Sequence, residues 1–169
     1  MKRILITGST SFLGKKLGEK LLQDDTDLHV IVRARSKKDR LPNGLSKDHI
    51  HHYKDDFESL AEIIDQIRPS LIYNIASFYA REATPNNLNQ LVESNLLFGL
   101  KLLEAIKTSG VKASIVNFGS YNQYYQNGNN FEPLNIYSAL KNSFFEILKL
   151  YSEELQFNYL NLILIFRTK

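Results

Sequence analysis

The sequence predicts an α/β fold, a Rossmann-type doubly wound parallel sheet of about six strands with helices on both faces, as one domain over residues 1–169. Three observations carry that expectation. Short apolar or β-branched runs alternate with segments of helical periodicity along the chain. Those runs are continuously apolar, as strands covered on both faces are. The first of them, Ile4-Leu-Ile-Thr7, passes through Gly8 into a helical pattern that starts near Phe12. A strand that turns at a glycine into a helix aims backbone N–H groups and a positive helix end at one place, which suits a phosphate or pyrophosphate.

The elements follow in order. Phe12, Leu13, Leu17, Leu21 and Leu22 share one helical face, opposite Lys15, Lys16, Glu19 and Lys20. Leu28–Val32 reads as a second strand, and the basic run Arg33–Arg40 as a loop that ends in the turn signal Pro42-Asn-Gly44. A weaker third strand lies near His49–Tyr53, followed by a helix over Phe57–Ile67 with Leu60, Ile63, Ile64 and Ile67 as its stripe. Pro69 breaks the chain before a fourth strand, Leu71–Ala76. The longest helix is expected over Leu88–Thr108, closed by Gly110, and a fifth strand over Ala113–Phe118. Gly119–Pro133, rich in Tyr, Asn and Gln, reads as a long ordered loop. A helix over Ile136–Glu154 and a sixth strand over Tyr159–Phe166 complete the pattern. No repeat at a solenoid period interrupts it.

Composition narrows the function. The 169 residues include no cysteine, which excludes disulfides, thiolate zinc sites and cysteine nucleophiles. A net charge of +3 is modest: it does not argue for a nucleic-acid partner, although it is compatible with a phosphate-bearing ligand. No run is long enough to span a bilayer, and the start does not read as a signal peptide, so a cytoplasmic, soluble chain is expected.

In a doubly wound sheet, ligands sit beyond the carboxyl ends of the strands. Gly8 and Gly14, with Thr10, Phe12 and Leu13 between them, form the turn expected to cradle a cofactor's phosphates. Strand two ends at Arg33, with Arg35 and Ser36 behind it and no acidic residue until Asp39. A ribose 2′-hydroxyl calls for a carboxylate here and a 2′-phosphate for a guanidinium, so the site leans to NADP rather than NAD. Asp56 and Phe57 after strand three either hold an adenine or simply cap the next helix; both can hold at once. Ala76, small and near the end of strand four, lets a cofactor ribose approach the backbone.

The strongest constellation opens the last helix. Tyr137 and Lys141 stand one turn apart on one face, where an ammonium would lower the phenol's pKa and ready Tyr137 for proton transfer. Ser120, just past strand five, is placed to hydrogen-bond the same reacting oxygen. His49, His51 and His52 have no suitably spaced carboxylate or further histidine, so no metal is expected and they read as surface residues. Tyr121, Tyr124 and Tyr125 either line a sugar site or pack within their loop.

The set resembles the cofactor domain of the extended short-chain dehydrogenase/reductase family, which includes nucleotide-sugar epimerases, dehydratases and reductases. The resemblance rests on Thr7-Gly8-x-x-x-Phe12-Leu13-Gly14, Asp56-Phe57, Asn74-Ile-Ala76, Asn95 with Gly99, Leu102-Leu-Glu-Ala105, Ser120 and Tyr137-x-x-x-Lys141, in the family's order over almost the whole chain. It implies Tyr137 as acid/base, Lys141 holding the nicotinamide ribose and tuning Tyr137, Ser120 orienting the substrate oxygen, and Asn95 among the residues of the cofactor site. Gly119–Tyr125 and Glu132–Lys141 look most like the CDP-abequose and related synthases, NADPH-dependent 4-ketoreductases of CDP-linked sugars. That likeness implies a nucleotide-sugar partner, a homodimer by analogy, and neither nucleic acid nor membrane. An NAD-dependent epimerase or dehydratase is the alternative.

Two departures stand out. Ser11 replaces the middle glycine of the turn and is expected to crowd it. Relatives continue past Arg167 into a segment that holds the nucleotide-sugar, whereas Thr168-Lys169 ends this chain. The expectation is a truncated product or fragment without the C-terminal substrate-binding region, which leaves a catalytically silent cofactor-binding module as a further alternative.

Overall fold

The computed structural model describes residues 2–24, 26–34 and 36–164. Its main sheet runs β3-β2-β1-β4-β5-β8 with every neighbouring pair parallel. The strands are β1 (Arg3–Thr7), β2 (Asp27–Arg33), β3 (Ile50–Tyr53), β4 (Leu71–Asn74), β5 (Ser114–Ser120) and β8 (Tyr159–Leu164). The order reverses between β1 and β4, the crevice where a doubly wound sheet binds its ligand. The expectations for Arg35, for the end of the sixth strand at Phe166, and for Arg167 to Lys169 lie outside the described residues.

Helices cover both faces. On one, α1 (Phe12–Gln23) lays Leu13, Leu17, Leu21 and Leu22 over Ile4, Ile6, Leu28, Val30 and Val32. On the other, α2 (Phe57–Ile67), α4 (Phe98–Ser109) and α5 (Ile136–Leu155) meet over Leu5, Ile31, Ile72 and Ile115. The alternation of Ile4 and Ile6 with Leu5 between the two layers is the period-2 signature of a strand buried on both sides. Each fully buried Leu or Ile of these layers contributes roughly 1.5–3 kcal/mol of transfer free energy. The start of α2 is set by Asp56, whose side chain accepts from Ser59 N at 2.7 Å, and its end by Arg68 in a left-handed conformation.

Two segments differ from expectation. The long helix is three pieces, α3 (Leu88–Val92), a π-helical turn over Glu93–Leu97, and α4. Within the π turn the Asn95 amide donates to Leu91 O and to Phe78 O, and its Oδ1 accepts from Phe78 N, so Asn95 ties down the chain beyond β4. Gly119–Pro133 is not one loop. Gly119 and Ser120 extend β5, Tyr121–Tyr124 form a 3-10 turn, and β6 (Tyr125–Asn127) pairs antiparallel with β7 (Asn130–Glu132) in an exposed hairpin. The extension of β5 follows from six consecutive partners on β8, the last being Ser120 opposite Leu164.

Candidate cofactor and active-site cleft

A cleft of about 830 Å³ opens over the carboxyl ends of β1, β2, β4 and β5. Beneath it, with Thr7 at the lining, runs a row of side chains in register. Thr7 stands opposite Asn74, Asn74 opposite Asn117, and Asn117 opposite Asn161. The Thr7 hydroxyl donates to Asn74 Oδ1 at 3.0 Å, the Asn74 amide to Asn117 Oδ1 at 3.2 Å, and the Asn117 amide to Asn161 Oδ1 at 2.8 Å. Thr7 Oγ1 also accepts from Ala76 N at 3.2 Å, which fixes the chain as it leaves β4. Buried amides are tolerated here because each finds its partner across a strand.

The phosphate end is shaped by two close backbone approaches. Gly8 has φ +72°, and a Cβ there would sit 2.6 Å from Ala76 N. A Cβ on Gly14 would sit 2.3 Å from Gly8 O, so Gly14 seats α1 against the turn and lies outside the cleft lining. Ser11 does not crowd this turn, contrary to expectation. Its backbone is extended at φ −75° and ψ 162°, which needs no glycine, and its hydroxyl caps α1 by accepting from Gly14 N at 3.0 Å. Gly8, Thr10, Ser11, Phe12 and Leu13 all line the cleft at the positive end of α1. This cradle and the cavity's size fit a pyrophosphate-bearing dinucleotide.

Arg33 lines the far end with Ser36. Its Nε lies 3.3 Å from Asp55 Oδ1, its NH1 donates to Ser94 Oγ at 3.2 Å, and the guanidinium sits 5.7 Å over the Phe98 ring. Arg33 and Tyr53 are register partners on β2 and β3, so Asp55, two residues beyond Tyr53, comes within reach of Arg33 although they are far apart in sequence. Asp56 and Phe57 lie outside the lining. Asp56 caps α2, its carboxyl held below the usual range by hydrogen bonds from Ser59, and Phe57 packs on the core. Ala76 lines the cleft; Asn95 acts one step removed, through Phe78.

Ser120, Tyr137 and Lys141 all line the third wall. Lys141 is 4% exposed and donates to Phe118 O at 2.8 Å. Burial pulls its ammonium down to about 8. Tyr137 is the correction. Burial raises its phenol above the ordinary value, the nearby Ser77 hydroxyl opposes that rise, and Tyr79 adds to it. Without the expected lowering, Tyr137 is a neutral phenol near pH 7, suited to giving a proton rather than taking one. Ser120 Oγ accepts from Asn122 N at 3.3 Å, and Gln123 Oε1 accepts from Ser120 N at 2.6 Å, so a capping box holds Ser120 at the mouth.

Sequence reasoning missed Tyr53, Tyr79, Ser94 and Phe98 in the lining. Tyr79 stacks edge-on to Tyr137 with ring centroids 5.1 Å apart. Tyr121 lines the cleft, while Tyr124 and Tyr125 do not. The histidines also need correction. His51 is only 9% exposed, and a carboxylate and a further histidine do stand beside this group, Asp27 and His29.

The fold is Rossmann-like, a six-stranded parallel sheet with helices on both faces. Residues 4–165 match the NAD dependent epimerase/dehydratase family, and the chain belongs to it. Among curated relatives, CDP-abequose synthase of Yersinia pseudotuberculosis is 27% identical over 164 residues, covering 96% of this chain and 54% of that protein. GDP-mannose 4,6 dehydratase of Drosophila melanogaster is 30% identical over 125 residues, 68% of this chain and 32% of that one. The chain thus spans about half the length, or less, of the curated relatives it matches. UDP-glucose 4-epimerase of Thermus thermophilus, solved with NAD, superposes with a TM-score of 0.73 at 22% identity over 94% of this chain and 53% of that one. WbmH of Bordetella bronchiseptica, solved with NAD+, gives 0.74 at 18% identity over 96% of this chain and 56% of that one. No helix among the described residues is long and apolar enough to cross a membrane.

Proposed function

We propose that this chain is the cofactor-binding part of an NADP-dependent oxidoreductase acting on a nucleotide-linked keto-sugar, of the 4-ketoreductase kind that CDP-abequose synthase represents. The observation that carries the reading is Arg33, a guanidinium on the cleft wall at the end of β2, with the Ser36 hydroxyl beside it. A 2′-phosphate would be held there by charge-assisted hydrogen bonds. Gly8 to Leu13 would hold the pyrophosphate and Lys141 the nicotinamide ribose. The cofactor, when bound, supplies the hydride. Tyr137, neutral at pH 7, would protonate the forming alkoxide, and Ser120 would orient that oxygen. The chain pairs as a homodimer in this reading.

A second reading, an NAD-dependent epimerase or dehydratase, is favoured by Asp55. Its carboxylate already neutralises Arg33 and would repel a 2′-phosphate while leaving a 2′-hydroxyl unopposed. Titration of the chain with NADPH and NADH, followed by nicotinamide fluorescence, separates the two. The reductase reading expects NADPH to bind at least about tenfold tighter, about 1.4 kcal/mol. Arg33→Gln should abolish that preference and Asp55→Asn should widen it. Equal affinities in the wild-type chain would favour the second reading. Binding of neither nucleotide would overturn both.

A further inference from the structure

At the opposite end of the sheet from the cleft, three side chains from β2 and from the turn before β3 converge. Asp27 opens β2, His29 follows two residues later on the same strand face, and His49 closes the 3-10 turn Lys47–His49 before β3. The three residues' ligand-capable atoms all lie within 4.8 Å of one another. His29 Nε2 is 3.1 Å and His49 Nε2 3.8 Å from Asp27 Oδ1. The geometry points to a divalent transition-metal site, Asp27–His29–His49, that takes Zn²⁺ and clasps the start of β2 to the turn before β3.

Zinc bonds of about 2.0–2.2 Å to nitrogen and oxygen place tetrahedral ligands about 3.4 Å apart, which lies between the two observed separations. The outer nitrogens are already positioned as a metal site needs them. His49 Nδ1 lies 3.1 Å from Leu28 O, a contact only an N–H can satisfy, and this leaves Nε2 as the atom that faces the carboxylate. His29 Nδ1 lies 3.0 Å from His51 Nε2, so His51 fixes the ring of His29 from behind. Such backing of ligand histidines by a carbonyl or a second side chain is usual in metal sites. The ring centroids of His29 and His49 are 4.3 Å apart and tilted, so both edges can turn to one ion.

The surrounding hollow, about 260 Å³, is also lined by Asp48, Gln66 and Arg3. It leaves room for water to complete the coordination. Arg3 brings positive charge to the wall, but its NH1 is engaged with Ile67 O at 2.6 Å, at the end of α2. Two histidines and one carboxylate with an open position suit zinc or its neighbours in the first transition row better than calcium or magnesium, which take oxygen ligands.

The test is equilibrium dialysis of the untagged full chain against ZnCl₂, with the visible spectrum of Co²⁺-loaded protein as a second reading on the wild-type chain. The expected result is one Zn²⁺ per chain, bound at least about tenfold more weakly by Asp27→Asn and by His49→Ala. His52→Ala, which removes an exposed histidine from the other face of β3, should bind like the wild type. Co²⁺ should give the d–d bands of a site with histidine nitrogen ligands. The proposal is overturned if the wild-type chain shows no saturable one-to-one binding. It is equally overturned if Asp27→Asn and His49→Ala bind as tightly as wild type, or if His52→Ala loses as much as they do. If a variant does not fold, absence of the Co²⁺ bands from the wild-type chain still refutes it.

Discussion

Lys141, one helical turn beyond Tyr137, donates its ammonium to the carbonyl of Phe118 at 2.8 Å. The lysine is thereby a charge buried against one carbonyl, pulled down to about 8 from an ordinary value of 10.5. Below pH 8 it is protonated in both folded and unfolded chains, and the fold bears the full cost of burying it. Between about pH 8 and 10.5 the unfolded chain binds more protons, so stability rises with pH. Lys141→Met removes the charge but leaves Phe118 O without its donor. The variant should be more stable than wild type by about 1–2 kcal/mol at pH 7. By pH 9.5 that advantage should have gone, since roughly 2 kcal/mol of the cost is then relieved in the wild type. Urea unfolding of both proteins at the two pH values reads the difference, and a gap that does not change with pH would contradict it.

Asn117 is the centre of the amide row beneath the cleft, donor to Asn161 and acceptor from Asn74. Asn117→Ala leaves the buried Asn74 amide without its acceptor and Asn161 without its donor. At about 1–3 kcal/mol for each unsatisfied buried group, offset in part where water reaches Asn161, the loss should be roughly 2–4 kcal/mol. Asn161→Ala, at the half-buried end of the row, should cost less than half as much. Because Asn74 also positions Thr7, and Thr7 the amide of Ala76, dinucleotide affinity should fall with Asn117→Ala too. A urea-derived loss below about 1 kcal/mol would mean that the row is not structurally coupled.

Much of this was legible in the sequence because local and long-range signals agree there. Ile4–Thr7 and the stripe of α2 are each one hydrophobic pattern bounded by a cap or breaker, and α2 falls where that pattern puts it. What escaped is what only register supplies. Arg33 and Asp55 look unrelated until β2 and β3 pair in parallel, and His29 meets His49 by the same pairing. Helical spacing puts Tyr137 and Lys141 on one face but says nothing of burial, which raises the phenol, or of where the longer side chain ends. Lys141 reaches past Tyr137 to β5. One signal was present and unused. Gly128-Asn129 is a two-residue hairpin loop with glycine first, at φ +60°, and it sits where β6 turns into β7.

Gly8 and Gly110 share a positive φ and differ in what surrounds them, which separates two costs usually lumped together. Both have positive φ, +72° and +62°. Gly110 ends α4 with no atom of the described residues within 4 Å of a Cβ position, so Gly110→Ala should cost only the left-handed conformation, about 1–2 kcal/mol. Gly8→Ala incurs a positive-φ cost too and also drives a Cβ to within 2.6 Å of Ala76 N and 2.8 Å of Ala76 Cα. Those atoms are backbone, and Ala76 N is tied to Thr7, so no side-chain rotation relieves the clash. The β1–α1 turn must open. The expected outcome is a loss for Gly8→Ala at least about 1 kcal/mol beyond that for Gly110→Ala, in line with measured costs of overpacking. Dinucleotide binding should be abolished in the first variant and unchanged in the second. Thermal unfolding and NADPH titration of the pair measure both effects. Equal stability loss with intact binding would show that the turn tolerates a side chain and that the glycine at position 8 is there for its φ alone.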